Sequence, residues 1–227
     1  MYNGSMPYIS PNYSIEDLLS LCVDNGLSPS SCPELFERAI AMFMDRIRGR
    51  FLNQIDLLSD NISVNGFAIM ALECLLVETL AQFREGLPDT KRCSKEKYTE
   101  FLLQIDEAFS LCPAITDFRS YSDYFNQAFD RNGNVRNNAV FFYNRIRCGI
   151  LHQAQSSNNS GLTDDNEEYP VFWKNGYYIV SVPMFIFRMN AYIENYSIQL
   201  RNEENYTLRA NFINKMRYIC RLSKINW

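Results

Sequence analysis

Apolar residues recur every three or four positions through most of the chain, and this period constrains the fold more than any other sequence feature. The longest example follows Ser31, a residue that suits a helix start, and consists of Leu35, Ile40, Phe43, Ile47, Phe51, Ile55 and Leu58. Such spacing places the apolar side chains on one face of an α-helix, with Arg46, Arg48 and Arg50 on its polar side. The pattern predicts a long amphipathic helix and, with those below, an all-α protein.

Further segments with the same period predict helices along the rest of the chain. Ser14 suits the N-cap of a short first helix that would end near Gly26. Asn65-Gly66 precedes the most apolar helix, and Gly86 and Pro88 mark its end. The helices predicted after the long one span residues 67–85, 95–109, 118–129, 135–155, 183–200 and 206–222.

One segment instead has the composition of β-structure. Val171-Phe172-Trp173 and Tyr177-Tyr178-Ile179-Val180 flank Asn175-Gly176, a pair that adopts the positive φ angles of a tight hairpin turn. We expect an all-α helical bundle with a small β-hairpin before the C-terminal helices. We predict an N-terminal arm and short helix over 1–30, a surface loop over 155–168, and a single helical domain over 31–227 with the hairpin at 171–180.

Composition narrows the class of protein. The 227 residues suit one core. The net charge of −4 argues against both a basic nucleic-acid-coating protein and an acidic disordered one. A polyanion would therefore have to bind at a local patch of positive charge. Met1–Ser14 is polar, with Pro7 and Pro11, which predicts a cytoplasmic protein without a signal peptide. The apolar stretch 67–83 contains Glu73 and Glu78 and is short for a bilayer span, so we expect no membrane association.

The distribution of cysteine and histidine argues against metal sites and disulfides. Seven cysteines are scattered without Cys-x-x-Cys spacing, and the chain has a single histidine, His152. Free thiols in a reducing compartment are therefore expected, with no metal. The chain also lacks a phosphate-binding glycine loop, a Gly-x-Ser-x-Gly elbow and a His-Glu-x-x-His pair, and we expect no cofactor.

The segment Asn144-Arg145-Ile146-Arg147-Cys148-Gly149-Ile150-Leu151-His152-Gln153 places two arginines close to the only histidine. It resembles the Arg-x(4–6)-His motif of HEPN (higher eukaryotes and prokaryotes nucleotide-binding) domains, which are helical bundles. Four residues separate Arg147 from His152 and six separate Arg145 from it, so both arginines satisfy the motif. Residues 50–52, 78–86 and 147–153 also resemble a group of uncharacterised bacterial proteins that carry it.

The HEPN resemblance implies metal-independent RNA cleavage by a homodimer in which both copies place Arg and His around one cleft. It also suggests a toxin or antiphage setting, with an antitoxin or another defence protein as partner. The chemistry suits these residue types, because an imidazole transfers the proton of the attacking 2′-hydroxyl and a guanidinium stabilises the phosphate of the transition state. One histidine per chain cannot easily be both base and acid, whereas a dimer supplies two. Asn144 and Gln153, at the ends of the segment, are candidate binding residues.

Helical geometry and the resemblance favour different arginines. In a regular helix Arg145 and His152 lie about 20° apart, and Arg147 and His152 about 140° apart. Gly149 can loosen the helix, and the similarity to the bacterial group includes Arg147. We predict that Arg147 and His152 are catalytic, with Arg145 as support or substitute.

Structural roles for the same residues remain open at this stage. His152 can cap or pack against a helix end. Glu78 lies on an apolar stripe and needs a partner, so we predict a structural ion pair with an arginine from 145–147, or with Arg46 or Arg50. The competing function is a non-catalytic, dimeric HEPN-like module that binds a nucleotide, a nucleic acid or a partner protein.

Overall fold

A computed structural model describes residues 8–21, 32–157 and 159–225 of the chain. The protein is mostly helical, with a small mixed sheet before the two C-terminal helices, which confirms the predominance of helix and the position of the β-structure. The described residues belong to two compact units. The first contains those of Met1–Asp56, Thr79–Lys91 and Ile193–Trp227, and the second contains Leu57–Glu78 and Arg92–Tyr192.

The N-terminal residues of the first unit form more structure than the predicted arm. Strand β1 (Tyr8–Ser10) pairs antiparallel with β2 (Tyr13–Ser14). Helix α1 (Ile15–Ser20) begins with a capping box in which the Ser14 side chain accepts from the Asp17 N–H, so the predicted N-cap is correct. This helix ends at Ser20, and the predicted end near Gly26 lies outside the described residues.

The predicted long helix contains a π-helical turn. Helix α2 (Pro33–Ile47) continues through the π-helical residues Arg48–Leu52 into α3 (Asn53–Ser59). The apolar residues of α2 enter an aromatic cluster in which Phe43 contacts the rings of Phe83, Tyr196 and Phe212. This cluster is the centre of the first unit's core.

Helix α4 (Ile62–Glu85) starts earlier than predicted and contains Gly66 in its interior. Gly86, with φ of +67°, follows its last residue, as expected for a glycine at a helix end. By length and composition α4 can cross a membrane, with mean hydropathy of 1.6 over its most apolar window, half of which is buried in the protein. The core helix of a soluble protein meets the same criterion, so one such helix is weak evidence for a membrane span.

The helix predicted over 95–109 is shorter than expected. Helix α5 (Ser94–Leu102) ends before a 3₁₀ turn at Glu107–Phe109, because Asp106 accepts a hydrogen bond from the Ala108 N–H and starts that turn. Helix α6 (Tyr121–Ala128) follows, with Ser120 as its N-cap.

The helix predicted over 135–155 also has a π-helical middle. Helix α7 (Asn138–Phe141) continues through the π-helical residues Phe142–Arg147 into α8 (Cys148–Gln153). Gly149 does not interrupt it. Phe142 stacks on Phe185 with ring centroids 5.1 Å apart, which places this helix in the core of the second unit.

A three-stranded sheet replaces the predicted two-stranded hairpin. Strands β4 (Val171–Lys174) and β5 (Tyr177–Ser181) form the antiparallel hairpin, and Asn175-Gly176 has the predicted positive φ angles. Strand β3 (Ser160–Thr163) pairs parallel with β5, so the prediction of a loop over 155–168 was wrong there. Ser-Gly-Leu-Thr has little β propensity of its own, and its strand depends on pairing with a distant segment. Helices α9 (Val182–Arg201) and α10 (Tyr206–Ile225) are the last elements of the described residues.

Candidate functional site

All the predicted site residues lie in the second compact unit, most of them on the helix that contains the π-helical turn. Arg145 and Arg147 are the basic residues of that turn, and His152 lies in the last turn of α8. Across the turn the Cys148 N–H donates to the Tyr143 carbonyl, five residues earlier. Single π-turns of this kind occur frequently at functional sites.

Arg147 and His152 are in contact. Nη1 of Arg147 lies 3.4 Å from Nε2 of His152. The His152 residue is exposed, whereas 14% of the Arg147 side chain is accessible to solvent. In a regular helix the two residues would lie about 140° apart, which disfavours a contact. The contact forms nevertheless, because the arginine side chain is long enough to carry its guanidinium around to His152. An exposed imidazole therefore lies beside an anchored guanidinium.

Glu78 of α4 holds the other side of this guanidinium. Nη2 of Arg147 donates to Oε2 of Glu78 at 2.9 Å, and 23% of the Glu78 side chain is exposed. Burial opposes the charge of Arg147, but the hydrogen bond and the negative charge of Glu78 outweigh it and raise the pKa of Arg147 above its usual value. Arg147 thus stays charged while its position is determined by the carboxylate.

Two further residues, Ser94 and Tyr143, complete this arrangement. The Ser94 hydroxyl, at the start of α5, lies 3.5 Å from Oε1 of Glu78 and accepts from the Tyr143 hydroxyl at 3.4 Å. The Arg147 guanidinium lies over the Tyr143 ring, 5.3 Å from its centroid. The four-residue spacing of Tyr143 and Arg147 is a signal that could have identified this pair. Ser94 has no comparable local signal, because its contacts come from other elements.

Arg145 has a different set of partners. Its Nη2 donates to the side chain of Gln127 at 2.9 Å, and its Nη1 donates to the Asn159 carbonyl at 3.1 Å. The guanidinium also lies over the rings of Phe141 and Trp173, 4.9 and 5.3 Å from their centroids. Burial is the main cause that lowers the pKa of Arg145 from its usual value. These contacts connect the π-helical turn to α6 and the sheet.

The two predicted binding residues are both exposed. Asn144 lines an open cavity of about 470 Å³ on the same π-helical turn as Arg147. Gln153 is the last residue of α8, directly after His152. Neither side chain hydrogen-bonds to Arg147 or His152 in the described part of the chain, so the site's immediate contacts are those of Glu78, Ser94 and Tyr143.

Gly149 lets the chain fold back beside His152. After α8 the backbone turns at Ala154, which has φ of 53°, and the Ser157 N–H donates to the Arg145 carbonyl at 3.0 Å. A Cβ at position 149 would collide with the carbonyl oxygen of Gln155. The return of the loop over Gly149 fixes the end of the helix on which His152 stands.

Within residues 8–21, 32–157 and 159–225, no three His, Cys, Asp or Glu side chains form a group that could hold a metal ion. The six described cysteines are free thiols.

No protein-family model, curated protein or solved structure matches this chain.

Proposed function

We propose that this protein is a HEPN-like, metal-independent endoribonuclease with Arg147 and His152 as its catalytic residues. The observation that carries this proposal is the 3.4 Å contact between an exposed imidazole and a guanidinium anchored by Glu78. A sealed histidine would have supported only a packing role. The mostly helical fold supports the HEPN resemblance at the level of fold class.

In the proposed reaction His152 begins in its neutral form. A guanidinium can only donate, so Nε2 of a neutral His152 accepts from Arg147 and the ring proton is on Nδ1. An RNA phosphate would draw Nη1 of Arg147 toward its oxygens and free the lone pair of Nε2. His152 then has the form required of a general base, and Arg147 remains attached to Glu78 through Nη2.

In the proposed reaction the 2′-hydroxyl attacks the adjacent phosphorus and gives its proton to Nε2 of His152. The new O2′–P bond forms as the P–O5′ bond breaks, which leaves a 2′,3′-cyclic phosphate and a 5′-hydroxyl. Arg147 stabilises the negative charge that builds on the phosphate oxygens. The leaving O5′ requires a proton, and because the chain has a single histidine, the protonated His152 of a second copy supplies it.

The test is RNA cleavage by the purified 227-residue chain in EDTA. We expect chelator-resistant cleavage that falls at least about 100-fold in His152→Ala, the usual contribution of a general acid or base. Lys174→Ala removes an exposed side chain of the hairpin and serves as the control. Products should end in a 2′,3′-cyclic phosphate. Equal background nicking by the parent chain and His152→Ala would overturn the proposal.

The quaternary requirement has its own test. Sedimentation at micromolar concentration should show a homodimer, and the specific activity should fall on dilution below the dimer dissociation constant. A strict monomer with undiminished activity would remove the second histidine from the mechanism. In the toxin or defence setting that the resemblance implies, the enzyme would act on cytoplasmic RNA and a partner protein would restrain it.

The ion pair is also compatible with a second candidate, a non-catalytic dimeric module. A charged guanidinium held in place by Glu78 can bind an anionic group without any reaction. Such a module would bind a nucleotide, nucleic acid or partner protein without changing it. RNA that is retained by the protein but not cleaved in EDTA is the result this function predicts.

A further inference from the structure

A polar cavity lies in the same compact unit as the Arg147–His152 contact. It has a volume of about 470 Å³, and its lining includes Lys95, Arg131, Arg136, Asn137 and Asn144. We call it the basic pocket. Its volume lies in the range of about 300–1,000 Å³ that is typical of sites for small ligands.

The charge of the basic pocket is opposite to that of the whole chain. Lys95, Arg131 and Arg136 bring three positive charges, against the one carboxylate of the lining, Asp130, in a chain of net charge −4. Lys95 and Arg131 are exposed, and neither forms an ion pair within the described residues. The pocket is therefore the kind of local patch that a polyanion requires in an acidic protein.

Asp130 is occupied by its own loop. Its carboxylate accepts from the N–H groups of Asn132 and Asn134 at 2.8 and 2.9 Å. The Asn134 N–H is the main cause that lowers the pKa of Asp130. The carboxylate thus shapes the turn that presents Arg131, and its charge also interacts with Arg136.

The basic pocket shares two structural elements with the proposed catalytic site. Asn144 belongs to the same π-helical turn as Arg147. Lys95 directly follows Ser94, whose hydroxyl contacts Glu78 and Tyr143. Two lining residues of the pocket thus directly follow residues of the proposed site in the chain, Asn144 after Tyr143 and Lys95 after Ser94. From this proximity along the chain we infer that an RNA strand bound at Arg147 reaches the pocket.

We propose that the basic pocket binds a nucleotide of single-stranded RNA next to the scissile phosphate, an assignment that rests on the proposed function. Lys95 and Arg131 each contact a phosphate of the RNA strand, as cationic side chains do along nucleic acid backbones. Asn144 carries both a donor and an acceptor and meets the edge of the unpaired base, which is how single-stranded RNA is read.

The test separates binding from cleavage. The fluorescence anisotropy of a labelled RNA oligonucleotide, 2′-O-methylated to prevent cleavage, is measured with the full chain, with the double variant Lys95→Ala/Arg131→Ala, and with Arg119→Ala/Lys174→Ala. The second pair removes two exposed cations of the same unit that do not line the pocket. Circular dichroism confirms that both variants fold.

We expect the pocket variant to bind about 10-fold more weakly, and the salt slope of log affinity to flatten by about 1.4 for two lost phosphate contacts on a single strand. The control should bind within about 2-fold of the parent chain. With cleavable RNA, KM should rise in the pocket variant while kcat stays within about 3-fold.

The outcomes distinguish the two proposals. Equal binding by the pocket variant and its control overturns the pocket assignment, even if RNA is cleaved. RNA binding that is lost specifically in the pocket variant, by a parent chain that does not cleave RNA, supports the pocket as an RNA-binding site and overturns the nuclease. No RNA binding by the parent chain overturns both.

Discussion

The guanidinium of Arg147 lies 3.4 Å from the imidazole of His152, at the point where a π-helical turn continues as an α-helix. The same guanidinium binds Glu78 at 2.9 Å. The helix thus presents an exposed imidazole next to a charge that another helix holds in place, and the stability of this arrangement can be tested apart from any activity.

Glu78→Gln should destabilise the protein. It leaves the mostly buried Arg147 without its ionic partner, a loss that costs about 2 kcal/mol for partly buried pairs. The free energy of unfolding in urea measures the effect. Glu96→Gln is the matched control, because Glu96 lies 3.9 Å from Lys97 and 66% of its side chain is exposed. The control should cost less than about 0.5 kcal/mol. Equal effects of the two substitutions would show that Glu78 does not anchor Arg147.

Arg147→Lys and Arg145→Lys should affect different properties. Arginine can donate to Glu78 and to a phosphate at the same time through different N–H groups, whereas lysine has only one ammonium group for both. Arg147→Lys should therefore slow RNA cleavage by about 100-fold. Arg145→Lys should mainly lower the melting temperature, because Arg145 bonds to Gln127 and Asn159 and lies over two aromatic rings. Rates are compared per folded molecule. A larger loss of rate from Arg145→Lys would exchange the roles of the two arginines.

Gly149→Ala and Gly66→Ala should change stability in opposite directions. At position 149 a methyl group collides with the Gln155 carbonyl, and overpacking of this kind costs about 1–3 kcal/mol. At position 66, inside α4, the nearest side-chain atoms, of Leu162 and Val182, are 3.8 Å away, so alanine should stabilise the helix by about 0.5–1 kcal/mol. Thermal unfolding of both variants measures this difference. A neutral Gly149→Ala would mean that the loop after α8 does not lie over the helix.

Lys215 should make stability rise at alkaline pH. Burial lowers the pKa of Lys215 from 10.5 to about 8, with the charge of Asp89 acting against the shift and that of Arg46 adding to it. Between about pH 8 and 10.5 the unfolded chain therefore binds more protons at this group than the folded protein does, and stability increases with pH.

The difference in unfolding free energy between the parent chain and Lys215→Met isolates this effect from other titrating groups. This difference in unfolding free energy should increase in favour of the parent chain by about 2 kcal/mol between about pH 8 and 10.5. Nζ of Lys215 donates to the Gln82 side chain and the Pro88 carbonyl, both at 2.7 Å, so methionine also removes two hydrogen bonds at every pH. Lys174→Met, at an exposed lysine, should show no such pH dependence. A constant difference for Lys215→Met would contradict the lowered pKa.

Local signals predicted the features of the fold that depend on a few neighbouring residues. Ser14 was identified as an N-cap, Gly86 as a helix end and Asn175-Gly176 as a hairpin turn, because each acts through its own backbone conformation. Strand β3 was missed because its hydrogen bonds go to β5. The two π-helical turns were also missed, since the apolar period is nearly the same with or without one extra residue in a turn.

The sequence by itself determined that two arginines and the only histidine lie within two helical turns, because the period of a helix follows from chain geometry. Only the tertiary structure gave the two arginines different partners. Arg147 meets Glu78, which is 69 residues away, while Gln127 and Asn159 engage Arg145. These partners come together because distant segments of the chain pack against each other. The spacing of residues along one helix carries no information about that packing.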